Sequence, residues 1–202
     1  MKNKLFISML PLKTERLIIR IPNSNDVDLM LKMDKQEETQ KFLGGIKNRS
    51  RKERAELIKA KEEKNKSGYA SLLTVCLLDG TPIGFTGLSI NEELNCGKLS
   101  YLYDYDFTNK GYCTEACHIL IDTAFNTLKL EKVCADFVDG NIASMRVLKK
   151  LGFKLIGSRK EDVLFHDYEL LINDYKVSKN YKKPWKIKNN VVYFTSQFKL
   201  SP

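Results

Sequence analysis

The chain lacks most of the residues that mark a metal site. It holds only two histidines, His118 and His166, and its five cysteines (Cys76, Cys96, Cys113, Cys117 and Cys134) contain no Cys-x-x-Cys pair. An odd count without paired spacing argues against a zinc site or a disulfide framework, so no metal is expected. Cys113 and Cys117 stand one helical turn apart and read as small buried hydrophobes. No apolar run approaches the roughly 18 residues that a membrane helix needs, and no membrane partner is expected. Met1 to Leu10 lacks the long apolar stretch and cleavage site of a secretory leader, so the expected location is cytoplasmic. No Gly-x-Gly-x-x-Gly follows an early strand, which disfavours a dinucleotide-binding domain.

Acidic residues are missing from one end. The net charge is +9, yet residues 176–202 carry seven lysines and no acid. Residues 1–175 hold 27 basic and 25 acidic residues and are nearly neutral. The excess therefore belongs to a basic C-terminal extension, and a charge run is most simply a solvated surface. A weak contact with RNA or the ribosome through this tail stays open. The remainder, 43% hydrophobic over the whole chain, suffices for one domain spanning residues 1–175.

Periodicity supplies the elements. Leu17 to Ile21 reads as a strand, and Asn25 or Asp26 as the cap of a helix reaching Met33. Ser50 and Glu53 have the spacing of a capping box, opening a charged helix to about Lys66 that Gly68 would end. Tyr69 to Leu78 and Ile83 to Ile90 form a hairpin around Asp79-Gly80-Thr81-Pro82, and Lys98 to Asp104 follows as a strand. Cys113, Ala116, Cys117, Leu120, Ile121, Ala124 and Leu128 make the stripe of an amphipathic helix. Lys132 to Val138 is a strand, Asn141 to Leu151 a helix, and Phe153 to Ser158 and Val163 to Ile172 are strands. Gly152 takes the position after a helix where a left-handed backbone is wanted. Val191 to Phe194 could add a late strand. This order predicts an α/β fold, a mixed sheet with helices on both faces.

Two clusters carry chemistry. Asp106 to Gly111 joins a strand directly to a helix, so free N–H groups and the helix dipole would favour a phosphate, with Lys110 adding charge. Gly111 allows close approach of the backbone, although one glycine before a helix also serves as a plain turn. The second cluster runs from Asn141 through Ser144 to Leu151-Gly152-Phe153. Asn141 also has the place of an ordinary helix cap, and Ser144 that of a first-turn hydroxyl bonded to backbone or water.

Taken together and in order, these segments resemble the GCN5-related N-acetyltransferases (GNAT), and within them the RimJ/RimL-type branch that modifies ribosomal proteins. The resemblance begins at Leu12-Lys13-Thr14-Glu15-Arg16-Leu17-Ile18-Ile19-Arg20. It continues through Pro82-Ile83-Gly84-Phe85 and Gly111-Tyr112-Cys113-Thr114-Glu115-Ala116. It ends with Asn141-Ile142-Ala143-Ser144 and Leu151-Gly152-Phe153, covering about residues 10 to 175. The family loop usually has Gln or Arg, two residues, Gly, one residue, then Gly or Ala; Thr108, Gly111 and Cys113 hold those positions here. Asn109 stands where this branch often has glycine.

The resemblance implies a GNAT-type acyl-CoA N-acyltransferase fold, a central, mostly antiparallel sheet with two splayed strands. It implies acetyl-CoA as co-substrate, its pantetheine paired with backbone of Leu102, Tyr103 and Asp104. The pyrophosphate would lie on Asn109, Lys110, Gly111, Tyr112, Cys113 and Thr114, with Asn141 bonding the pantetheine arm. An amine would attack the thioester directly in a ternary complex, and Ser144 matches a position proposed as the acid for the departing thiolate. Glu92, Glu93 and Asp104 are candidate bases. The acceptor would be a protein N-terminus, a polyamine, an aminoglycoside or another small amine; Glu37, Glu38, Glu92 and Glu93 could form an acidic pocket for a cationic one. A homodimer stays open. The changed loop residues leave a second reading, a catalytically weak CoA-binding or RNA- and ribosome-associated module.

Overall fold

The computed structural model describes residues 1–66, 71–178, 185–188 and 191–194. Among them lies one sheet with the strand order β7-β8-β6-β5-β4-β3-β2-β1-β10-β9. Its strands are β1 (Leu12–Lys13), β2 (Leu17–Arg20), β3 (Leu73–Leu77), β4 (Pro82–Asn91), β5 (Cys96–Tyr103), β6 (Lys132–Val138), β7 (Lys154–Lys160), β8 (Leu164–Leu171), β9 (Trp185–Lys188) and β10 (Val191–Phe194). Neighbours run antiparallel except β5 with β6 and β1 with β10. The helices are α1 (Lys2–Ser8), α2 (Val27–Asp34), α3 (Glu37–Gln40), α4 (Arg51–Lys66), α5 (Tyr112–Asp122), α6 (Ile142–Lys150) and α7 (Ile172–Ser178). The expected mixed sheet is present. Short α1, α3, α7, β1 and β9 add to the anticipated list, and α7 runs across the expected boundary at residue 175.

Helices cover both faces because the strands present apolar side chains to both. On one face α5, through Ala116, Cys117, Leu120 and Ile121, packs on Leu88, Leu99, Val133 and Phe137, with Phe6 of α1 and Leu148 of α6 in the same cluster. On the other, Val27, Met30 and Met33 of α2 and Ile58 of α4 close over Phe85 and Leu102. Burying apolar surface on both sides of β4 is what makes its sequence nearly continuous in small and apolar residues.

Local chemistry sets the ends. Ser50 and Glu53 form the reciprocal capping box: Glu53 Oε2 accepts from the Ser50 N–H (2.7 Å), and Ser50 Oγ accepts from the Glu53 N–H (3.3 Å). Gly68 lies outside the described residues. Asp26 holds the N-cap position of α2, one of the two expected places, but makes no side-chain cap bond to that helix; the side-chain cap belongs to Asn23, one turn earlier. Its side chain accepts from the Asn25 N–H (3.0 Å) and starts a short 3-10 turn. Asp26 is instead fully buried, paired with Arg20 (2.7 Å) and accepting from Thr74 Oγ1 (2.7 Å). Gly152 is left-handed (φ 86°) and ends α6 as expected. The amphipathic stripe from Cys113 to Leu128 does not stay α-helical; α5 gives way to a π turn over Thr123–Thr127.

Candidate active site

The two parallel strands in mid-sheet do not stay together. β5 and β6 pair only at Cys96↔Lys132, Gly97↔Val133 and Lys98↔Cys134. β5 nevertheless remains on β4 as far as Gly84↔Tyr103, and β6 remains on β8 as far as Val138↔Phe165. Each limb is thus held on its outer side while the inner edges part, leaving a V. Backbone groups along such an opening lack the partners a sheet normally gives them, and an extended ligand can supply those partners.

The ladder phase says which groups are free. The Asp104 N–H donates to Ile83 O (3.1 Å) on β4. Alternation along an antiparallel pair turns the N–H and C=O of Leu102 toward β4, and those of Tyr101 and Tyr103 toward the opening; the Asp104 C=O accepts from the Phe107 N–H (2.9 Å). Within the expected stretch Leu102 to Asp104, the outward groups by this phase are those of Tyr103, with Tyr101 supplying the next pair. The Leu102 side chain packs toward α2 and α4, and that of Tyr103 is buried on the α5 side.

Beyond β5 the chain makes a 3-10 turn, Tyr105–Phe107, that Asp104 caps by accepting from the Asp106 N–H (3.1 Å). Asn109 (φ 58°) and Gly111 (φ 80°) are both left-handed and bracket Lys110. Asparagine tolerates that conformation better than most residues with a side chain, so Asn109 suits a place where glycine is usual. Gly111 is the N-cap of α5, and no side chain caps the helix there. The N–H groups of Tyr112, Cys113 and Thr114 thus stand at an open helix N-terminus, the arrangement that favours an anion. Cys113 is half-buried and packs inward against the core. Burial, with Cys117 alongside, pushes its thiol well above the ordinary cysteine range. Lys110 folds back over the loop, with Nζ donating to Asp106 O (2.9 Å) and lying 5.1 Å from the Phe107 ring centre.

A clamp invisible in the sequence holds this loop. Glu115, 8% exposed, accepts from Arg16 Nε (2.7 Å), the Arg16 N–H (3.2 Å) and Thr14 Oγ1 (2.6 Å). Arg16 Nη1 also donates to Lys110 O (3.1 Å), and its guanidinium lies 4.7 Å from the Tyr112 ring centre. The turn before β2 is thereby bolted to the first turn of α5.

Across the V, Asn141 caps α6, its Oδ1 accepting from the Ser144 N–H (3.0 Å). The cap leaves the Asn141 amide nitrogen as its donor toward a ligand. Ser144 is 8% exposed, and its Oγ lies 2.7 Å from the Tyr101 phenol oxygen. That hydrogen bond runs from one limb of the opening to the helix that follows the other.

The candidate bases fare differently. Glu92 accepts from the Asn3 N–H (2.9 Å) and pairs with the Met1 ammonium (2.6 Å). These bonds bring its pKa down to about 2, so it anchors α1 and is ill suited to take a proton near neutrality. Asp104 is 1% exposed. Burial opposes its charge, but bonds from Gln36 Nε2 (2.6 Å) and Lys32 Nζ (2.7 Å) prevail and hold its pKa below the usual value. Nor do the four glutamates converge. Glu37 and Glu38 lie on α3, which meets β5 at its Tyr103 end, where Thr39 Oγ1 lies 3.4 Å from Tyr103 O. Glu92 and Glu93 follow Asn91, which pairs with Cys96 at the far end of the same hairpin. Seven residues of strand, about 23 Å, separate the two ends.

α3 and the residues just after it reach both limbs of the V. Thr39 meets Tyr103 on one limb, and an added side-chain carbon on Gly140, beyond the other limb, would meet the Phe42 ring at 3.7 Å.

Residues 16–154 match the acetyltransferase (GNAT) domain, and the chain belongs to that family. Its sequence is 34% identical over 86 residues to the probable N-acetyltransferase YjcK of Bacillus subtilis (strain 168), a match covering 41% of this chain and 48% of that protein. The chain thus spans about half the length of that relative. Its fold is that of the spermidine N-acetyltransferase of Vibrio cholerae, solved with CoA and spermine (TM-score 0.66, 15% identity, 79% of this chain and 98% of that one). The ribosomal-protein-S5-alanine acetyltransferase of Vibrio fischeri is similar too (TM-score 0.63, 19% identity, 80% and 96%). No helix among the described residues is long and apolar enough to cross a membrane.

Proposed function

We propose that the chain is an acetyl-CoA-dependent N-acetyltransferase acting by direct attack in a ternary complex. The observation that carries this reading is the pair of outward-turned backbones at Tyr101 and Tyr103 leading straight to the open N-terminus of α5. The pantetheine amides would complete the β5 edge, the pyrophosphate would take the N–H groups from Asn109 to Thr114, and the Asn141 amide would bond the arm. The amine nitrogen attacks the thioester carbon, forming C–N. The C–S bond then breaks with its electron pair on sulfur, which takes the Ser144 proton. The serine oxygen regains a proton from the acceptor nitrogen, directly or through water.

The acceptor this site suits is a protein or peptide α-amine. Glu92 and Asp104 are held charged by their partners and do not provide a base near neutrality. An α-amine, with a pKa of about 8, needs less help to lose its proton than a lysine-type amine at about 10. A polyamine would need converging carboxylates, and the glutamates are divided between two ends of the hairpin.

The test follows CoA thiol release with acetyl-CoA and a panel of peptides, spermine, an aminoglycoside and free lysine. Peptides with free N-termini are expected to react best. Faster release with spermine overturns the acceptor assignment. Tight acetyl-CoA binding without release by any amine overturns the enzyme reading and leaves a CoA-binding module.

A further inference from the structure

Tyr101 stands where the two limbs part. Its backbone belongs to the free inner edge of β5, and its ring turns toward α5 and α6. The phenol oxygen lies 2.7 Å from Ser144 Oγ and 3.4 Å from Ser144 O. A phenol has one proton to give, and the shorter, better contact is to the serine hydroxyl. Around the ring stand Cys113 and Cys117 from α5 and Ser144 from α6. Burial, then the two thiols, raise the phenol pKa far above its ordinary value, so the group stays protonated and remains a donor.

A first-turn serine has an alternative. Its hydroxyl can turn back and donate to its own helix backbone, which removes the proton from any ligand. A phenol that donates to the serine oxygen alters that choice. With a lone pair occupied by the Tyr101 proton, the serine O–H is left to seek an acceptor of its own. The open cleft is where an acceptor would arrive.

We infer that Tyr101 is a positioning residue for the acyl transfer: it donates to Ser144 Oγ and so presents the serine proton to the departing sulfur. This rests on the reading of Ser144 as the acid. Tyr101 loses no proton in the step. The serine proton goes to sulfur as C–S breaks, the serine oxygen is reprotonated from the acceptor nitrogen, and the Tyr101 hydrogen bond steadies the serine oxygen between those events. Hydroxyls in a chain polarise one another, so the phenol also makes the serine a better donor.

The experiment uses the full chain, acetyl-CoA and the best peptide of the panel. Tyr101→Phe removes one oxygen and keeps the ring. It is expected to lower kcat about tenfold, the net worth of one hydrogen bond, with KM for acetyl-CoA within about twofold. Ser144→Ala should lower kcat at least as much. The double variant should match Ser144→Ala alone, because Tyr101 acts through the serine. Ser144→Thr, which restores a hydroxyl, should recover most of the rate with Tyr101 present and lose it again when combined with Tyr101→Phe.

Independent, multiplying losses overturn the inference. So does an unchanged kcat for Tyr101→Phe when Ser144→Ala is slow, which leaves the serine reading standing. If Ser144→Ala turns over at the full rate, the serine reading itself fails and the inference falls with it. A Tyr101→Phe defect that appears only as a lower melting temperature, with kcat intact, also overturns it.

Discussion

Arg16 and Glu115, 99 positions apart, share a hydrogen bond of 2.7 Å and an ion-pair contact of 2.5 Å at the base of the α5 loop. The carboxylate is nearly buried and the guanidinium half in water. Cutting the pair strands a buried charge. Arg16→Met is therefore expected to weaken acetyl-CoA binding about tenfold while costing about 2 kcal/mol of stability, because the loop loses its bolt along with the charge partner. Calorimetric titration with acetyl-CoA and thermal melting read the two effects. Unchanged affinity would mean that the loop keeps its form without the clamp.

The Tyr103 hydroxyl is buried and has no hydrogen-bond partner among the described residues. A polar group left in that state destabilises the fold by about 1 kcal/mol or more. Tyr103→Phe should raise the melting temperature by about 2–4 °C and leave kcat unchanged, since only the Tyr103 backbone faces the cleft. A lower melting temperature would show that the hydroxyl has a partner in solution, such as an ordered water.

Asp104 gives the fold an acid limit. Its pKa is lower in the folded chain than in the unfolded one. Its stabilising share is therefore complete above the ordinary carboxylate value of about 4 and fades as pH falls through the folded value. Lys32 is one of the bonds that lower it, linking α2 to both Asp104 (2.7 Å) and Asp106 (2.5 Å). Lys32→Met should raise the Asp104 pKa and move the midpoint of acid unfolding upward. A midpoint that stays or falls would remove Lys32 from that account.

The Phe42 ring lies beside Gly140, just past the β6 limb of the V. If the peptide enters there, Phe42→Ala should raise KM for the peptide about fivefold, roughly 1 kcal/mol of lost apolar contact, and leave KM for acetyl-CoA alone. Equal changes in both constants would place the ring against the cofactor instead.

Much of this was legible in the sequence wherever one stretch of chain contained the whole device. Ser50 with Glu53, Asn141 as a cap three residues before Ser144, and Gly152 after α6 are local spacings, and each does what its spacing implied. The loop departures read differently once backbone angles are known, since Asn109 accepts the left-handed turn and Cys113 points inward. Devices built from distant segments left no trace. Glu115 stands in the sequence only as one letter of the loop motif, and Tyr101 within a strand, because Arg16, Thr14 and Ser144 join them only through the fold. The glutamates misled for the same reason: sequence proximity to the strand ends did not say which end. The two-residue β1 and four-residue α3 are too short to show a period.

The parting of β5 and β6 encloses an unpaired strand edge within a sheet. A sheet edge is a template for any extended chain, and proteins ordinarily hide or charge such edges. Under the proposed function the inner edge of β5 can do neither without losing its ligand, so the ligand itself would be the cover. Protein stripped of CoA should exchange the Tyr101 and Tyr103 amide hydrogens quickly and tend to self-associate through that edge. Saturation with CoA should slow both. The co-substrate would then act as a folding partner of the central sheet, and its cellular supply would help to decide how long the chain survives between turnovers.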